Sequence, residues 1–315
     1  MIHHNSFTQI SNIMKKFIIK ILLFAIIISV ADICIGSILK ETANNAIGGD
    51  YQTTNYIADK ANEEIIIMGS SRANHHYIPS IIKDSLKMTC YNFGEDGMGI
   101  ILMYGRYKLI TQRYTPNIII YDIQENFDLE KNDNIKYING LKHNYEYPGI
   151  SEIFKTVDKK ESIKMYSRLY RYNSRVIGVI SNKFFTPIKG EYGYLPSTGT
   201  MNQEPEPFNE KKISYDNLKL EYFEKLIKDC AGKTNLIFTI SPKYFKTDDS
   251  FIEPLHNLCK QYNIPILNHL NDERFINKKE FFADRVHLNH NGAKLYTNII
   301  IQEIENWCKN SNCNL

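Results

Sequence analysis

The chain has 315 residues, 43% hydrophobic and 23% charged, a globular balance that excludes wholesale disorder and a multi-span transporter. Lys and Arg exceed Asp and Glu by 38 to 35, and the +3 balance is spread without a basic cluster, so a nucleic-acid partner has no electrostatic footprint. Six cysteines without a CxxC pair exclude a disulfide scaffold and give no zinc or thioredoxin-like motif, leaving only a small loop that Cys308 and Cys313 could close.

Lys15, Lys16 and Lys20 precede an apolar run, Ile21 to Val30, which continues past Asp32 to Leu39. A helix over 17–39 is long enough for the roughly 30 Å hydrocarbon core. The lysines on its amino side predict a short cytoplasmic segment, 1–16, and an exported body. Lys20 and Asp32 would each cost about 2.5–3.5 kcal/mol at mid-bilayer, but both lie towards the ends of the span. Ser29-Val30-Ala31 equally suits a cleaved signal peptide, which would release a secreted form. A core helix is the third reading, and Cys34 lacks the small residues that precede a lipoprotein cysteine. Residues before Met14 read as a polar extension or a misassigned start, since Met14-Lys15-Lys16 is itself a natural signal opening.

A polar linker, 40–62, is expected next, and then one domain, 63–315. Glu64 to Met68, ending at Gly69, has the form of a buried parallel strand. Pro79 opens a helix to Leu86. Strands follow at Met88–Phe93 and Asn117–Ile123, with helical spacing from Gly99 to Tyr114 between them. An insertion over 128–212 holds a helical stretch, Lys160 to Lys183, and a Gly/Pro/Tyr-rich loop, Gly190 to Pro196. The helix Tyr215–Cys230, the strand Thr234–Ile240, the helix Phe251–Tyr262, a strand near Ile264–Leu267 and a helix from about Asn291 complete the pattern. Strands alternating with helices imply an α/β domain, a parallel sheet of about five strands covered on both faces.

The chemistry falls at strand ends. Gly69-Ser70-Ser71-Arg72 follows the first strand, so Ser71 stands at the carboxyl edge, where open α/β sheets bind ligands. Before the last helix runs Asp284-Arg285-Val286-His287-Leu288-Asn289. An Asp three residues before a His can accept a bond from one ring nitrogen and free the other to take a serine proton. His75 and His290 stand near these motifs and read as surface or supporting groups.

Together the two motifs resemble the SGNH (GDSL-type) hydrolase family, in its membrane-anchored bacterial branch. The resemblance covers most of the chain from Glu64 onward and implies a three-layer α/β/α, flavodoxin-like domain. It implies a Ser71–His287–Asp284 triad whose serine attacks an ester carbonyl. The oxyanion hole it implies uses the amides of Ser71 and Gly97, with Gly97 fitting better than Gly94. A side-chain amide completes the hole. Counting ten residues from Pro116 lands on Asn126, but Gln124 and Phe127 stand where the family pattern has Gly and Asp, which makes Gln124 the replacement candidate.

No metal or cofactor is implied. An exported enzyme of this kind is expected at the bacterial cytoplasmic membrane, single-pass, with a periplasmic catalytic domain. It would act as an esterase or O-acyl (acetyl) transferase on a cell-surface polysaccharide or other acylated glycan. Transfer would need a multi-span membrane exporter as partner, because a single helix cannot carry an acyl group across. Arg72, Tyr192, Tyr194 and Lys243 are the candidate substrate contacts, with packing or ion pairing as their bland alternatives. The degenerate third block also leaves open a catalytically silent module that binds polysaccharide or scaffolds an export complex.

Overall fold

The computed structural model describes residues 2–184, 190–203, 205–206 and 213–311, with side chains from Asn12 to Asn310, so Cys313 lies outside the described residues. Helix α1 (Ile2–Asn44) carries the apolar run. From Asn12 it is long and apolar enough to cross a membrane, and its apolar window buries nothing against the domain, which sets it apart from a core helix.

The segment 40–62 is not the polar linker its composition suggested. Helix α1 continues to Asn44 and α2 (Gly49–Asp59) follows at once. Buried positions recur along α2 at Tyr51, Thr53, Thr54, Ile57 and Ala58, one helical face that its two threonines obscure. Leu39 and Ala43 of α1 pack with Tyr51, Tyr172 and Val179, so the last turns of α1 belong to the domain.

Next come β1 (Ile65–Gly69), α3 (Ser71–His76), α4 (Pro79–Leu86), β2 (Cys90–Asn92), α5 (Ile100–Ile110) and β3 (Ile118–Asp122). The long excursion after β3 holds α6 (Glu125–Asp128), α7 (Ile135–Ile138), α8 (Ile150–Val157), α9 (Lys159–Lys164) and α10 (Val176–Phe184). The expected helical stretch Lys160 to Lys183 is thus divided, by a short 3-10 turn at Tyr170–Tyr172 and by Ser174 in the left-handed region (φ 60°). The chain then forms α11 (Asn217–Cys230), β4 (Asn235–Ile240), α12 (Glu253–Tyr262), β5 (Ile266–Asn268) and α13 (His290–Ser311).

The five strands are parallel in the order β2-β1-β3-β4-β5, with Ile65 to Gly69 in register with Ile118 to Asp122. Alternation explains why the strands read as unbroken apolar runs. Ile66, Met68, Ile119 and Tyr121 enter a core with α2, α5, α11 and α12. Ile65, Ile67, Ile118 and Ile120 enter a second core with α4 and α13 on the other face. β1 and β3 are apolar on both sides because both sides are covered. The order reverses between β1 and β3, and at such a switch point the carboxyl ends of the strands leave a crevice.

Candidate active site

Ser71 begins α3 immediately beyond β1. The turn into it needs Gly69, whose φ is +138° and whose position admits no side chain, since a Cβ there would lie 2.5 Å from the Asp122 carbonyl oxygen. The turn delivers Ser71 Oγ to 2.8 Å from His287 Nε2. His287 Nδ1 lies 2.8 Å from Asp284 Oδ2, which fixes the tautomer with the proton on Nδ1. The other oxygen of Asp284 accepts the backbone amides of Val286 and His287, at 2.8 and 2.9 Å. Burial works against the ionised form of Asp284, but these bonds and the imidazole outweigh it and hold the carboxyl at about 2. The structure therefore joins residues 71, 284 and 287 in one hydrogen-bonded chain at the switch point.

Two loops flank Ser71. Gly94 donates its amide to Asn92 Oδ1 at 2.9 Å, whereas the amides of Ser71 and Gly97 have no acceptor among the described residues. Arg106 secures this loop from α5, donating to the Phe93 carbonyl at 2.6 Å and pairing with Glu95. On the β3 side, Gln124 Oε1 lies 3.4 Å from Ser71 Oγ, and the residue is buried. Turning that amide over would put its nitrogen in the same place. Asn126 is exposed on α6, and only its backbone carbonyl, bonded by Asn132, has a partner among the described residues. The contact with Ser71 falls to Gln124.

Asp128, which residue patterns did not single out, ties these loops together. Its carboxylate accepts the amide of Gln124 (2.8 Å), the amide of Ile100 at the start of α5 (2.8 Å) and the Tyr121 hydroxyl (2.7 Å). Burial pushes its carboxyl up to about 6 despite these bonds. Nothing in the sequence sets Asp128 apart from its acidic neighbours Glu125, Glu130 and Asp133; only its burial does. His76 is a second supporting group: fully buried, held neutral by desolvation, it accepts the amide of Leu288 at 2.9 Å and fixes the chain beside His287. His75 contacts Asp96 and the Leu195 carbonyl, at 3.2 and 2.6 Å; burial lowers its pKa, but these partners outweigh it and raise it.

Three of the four expected substrate contacts, Arg72, Lys243 and Tyr194, are largely buried, and the fourth, Tyr192, stays half-exposed. Arg72 is fully buried, directed under the sheet edge towards Asp122 (3.6 Å), Glu125 (3.5 Å) and the carbonyls of Ile123 and Ser241. Lys243 is nearly buried and pairs with the same Glu125. Tyr194 packs with Ile78 and Ala293 and bonds His290 at 3.2 Å. Tyr192 lies over Lys83, which donates to its hydroxyl at 3.1 Å. The 190–196 loop does reach the site, by another residue: Leu195 pairs with Asn74 and His75 of α3. Among the described residues, no cluster of His, Cys, Asp and Glu is arranged to hold a metal ion.

No family model matches the sequence, and no curated protein does either. The chain is similar in structure to a protein described as a lipolytic protein of the G-D-S-L family from Desulfitobacterium hafniense. Identity is 11%, coverage is 76% of this chain and 99% of that chain, and the TM-score is 0.39. It is also similar to a structure described as a platelet activating factor from Streptococcus pneumonia, at 12% identity, over 81% of this chain and 90% of that chain, with a TM-score of 0.39. At these values the likeness carries no argument, and the functional reading rests on the site.

Proposed function

We propose that the chain is a serine esterase or O-acyltransferase of SGNH type, anchored in the membrane by α1. The observation that carries this reading is the unbroken hydrogen-bonded path from Ser71 Oγ through His287 to an ionised Asp284. Such a path has a defined chemical use. His287 Nε2 takes the hydroxyl proton as Ser71 Oγ attacks an ester carbonyl, and Asp284 stabilises the imidazolium. The free amides of Ser71 and Gly97 and the Gln124 side chain are the candidate donors to the developing oxyanion. The tetrahedral intermediate then expels the alcohol, which receives the proton from His287, and leaves an acyl ester on Ser71. Water returns the carboxylic acid; a glycan hydroxyl instead returns a new ester.

The substrate proposed is an O-acylated glycan outside the cytoplasmic membrane, because an anchored extracytoplasmic site meets polymers rather than soluble acyl-CoA. In the transferase form, a multi-span acyl exporter supplies the acyl group. A connected triad favours this enzyme over the silent binding module, which has no use for an ionised Asp284 behind His287.

The test is burst kinetics of the full-length chain in detergent with p-nitrophenyl acetate, followed by mass spectrometry. Truncation at Asn45 is unsuitable, since it removes the Leu39 and Ala43 packing. One acetyl group per chain on Ser71, absent from Ser71→Ala, supports the proposal. No adduct and no activity above the Ser71→Ala background would return the binding module. A slow second phase that an added glycan accelerates distinguishes transfer from hydrolysis.

A further inference from the structure

Helix α10 faces the wrong way for a soluble protein. Val179 is buried in the small core with Leu39 and Ala43, while Ile177 is 84% and Phe184 67% exposed. At 100° per residue, Val176, Ile177, Ile180 and Phe184 fall within one arc of about 100°, an apolar stripe of the width that normally faces a core. No element among the described residues covers it. The preceding segment repeats the pattern, with Ile163 and Tyr166 (83% exposed) pointing outward.

These surfaces adjoin the emergent end of α1. At 1.5 Å per residue, Phe17 to Ile38 spans about 33 Å, close to the roughly 30 Å hydrocarbon core. Helix α10 packs beside Leu39 and Ala43, just past that span. Asp32, about 9 Å inside it by the same rise, meets the insertion directly: it accepts the amides of Arg168 (2.9 Å) and Leu169 (3.1 Å) and the Ser167 hydroxyl. Gly36 permits this approach, because a Cβ there would lie 2.5 Å from Arg168 Cβ. The 166–169 segment therefore stands level with the last third of the span, and Asp32 has its partners without water. Exposed Arg168 and Lys183 border the patch, where long cationic side chains reach headgroups while their stems stay apolar.

We infer that the apolar face of α10, with Ile163 and Tyr166, is a second membrane contact that lies in the interface beside α1 and holds the catalytic domain at a fixed height over the bilayer. This rests on the membrane-spanning reading of α1. The partner is the acyl and headgroup boundary of the lipid itself, since α10 packs against α1 where that helix ends its apolar span and exposed Arg168 and Lys183 flank the patch.

The test uses the full-length chain with Trp307→Phe, reconstituted in phosphatidylcholine/phosphatidylglycerol vesicles with brominated acyl chains. Single tryptophans replace Phe184, Tyr166, Phe24 or Lys294, the last an exposed residue of α13 on the opposite sheet face. Interfacial burial of roughly 5–10 Å predicts bromolipid quenching at 184 and 166 at least about twofold stronger than at 294. Quenching at 24 but not at 184 and 166 overturns this inference and leaves the span intact. No quenching at 24 overturns both. Blue-shifted emission at 184 without bromolipid quenching means that protein covers the face, and also overturns it. The Ser71 adduct, measured on the same vesicles, reports separately on the catalytic reading.

Discussion

Two charged clusters meet at the carboxyl edge of the sheet, and they differ in almost every physical respect. Asp284 and His287 stand 55% and 24% exposed, joined by short bonds to the hydroxyl of Ser71. Arg72, next in sequence to that serine, lies with Asp122 at zero exposure. Burial pushes Asp122 up, against the pull of Arg72, whereas in Glu125 the same penalty is outweighed by Arg72 and Lys243 and the carboxyl falls. The first cluster keeps a proton path open to solvent. The second ties α3 to the ends of β3 and β4 beside the Gln124 turn. Charge beside a nucleophile is thus not evidence of a ligand contact; the direction in which the backbone turns decides it.

The comparison predicts opposite phenotypes for neighbouring residues. Ser71→Ala is expected to lower ester hydrolysis by roughly 10⁴-fold or more with an unchanged thermal midpoint. A large drop in that midpoint would show that the hydroxyl holds the fold together. Arg72→Met should do the reverse, since it strands buried carboxyls and costs about 3–5 kcal/mol of stability. Urea unfolding measures this, and Arg72→Met with wild-type stability but weakened substrate binding would restore Arg72 as a ligand contact.

Gln124 and Asn126 divide in the same way. Removing one preorganised oxyanion donor costs about 2.7–4 kcal/mol in the transition state, so Gln124→Ala should lower kcat about 10²–10³-fold with KM little changed. Asn126→Ala, on the exposed face of α6, should leave kcat within about twofold, because surface changes are usually within 0.5 kcal/mol. Inverted results would return the donor role to Asn126.

The sheet was legible because strands apolar on both faces leave continuous runs such as Ile65-Ile66-Ile67-Met68, and because Pro79 fixes a helix start that the structure reproduces. Positions 71, 284 and 287 were legible because their roles are local: a turn after a strand and a three-residue reach. What failed depends on where a side chain ends up. For Arg72 and Lys243 the sequence left substrate contact and ion pairing both open, since nothing in it marks Glu125 as their common partner. Residues 40–62 read as linker since the buried positions of α2 include threonine. Asp32 read as a membrane penalty since its partners lie some 135 residues away.

The smallest expected effect is the acid dependence of Asp284, and its sign follows from the direction of the shift. The folded carboxyl titrates near 2, below its ordinary 3.8, because the imidazole and two amides favour the anion more than burial opposes it. A depressed carboxyl contributes stability that is fully present above the unfolded value and is lost as pH falls through the folded one. Between pH 7 and 4 the contribution is therefore constant, and it disappears between about 4 and 2. Asp284→Asn lacks it throughout, so the gap in urea midpoint between wild type and Asp284→Asn should be level from pH 7 to 4 and close below that. Half the side chain is in water, where screening makes such pairs weak, so the gap is small and must be read as a difference between matched titrations. A gap that closes already between pH 7 and 5 would mean that Asp284 is not the anion the triad requires, and the contrast between an open, ionised pair and a sealed one would lose its first member.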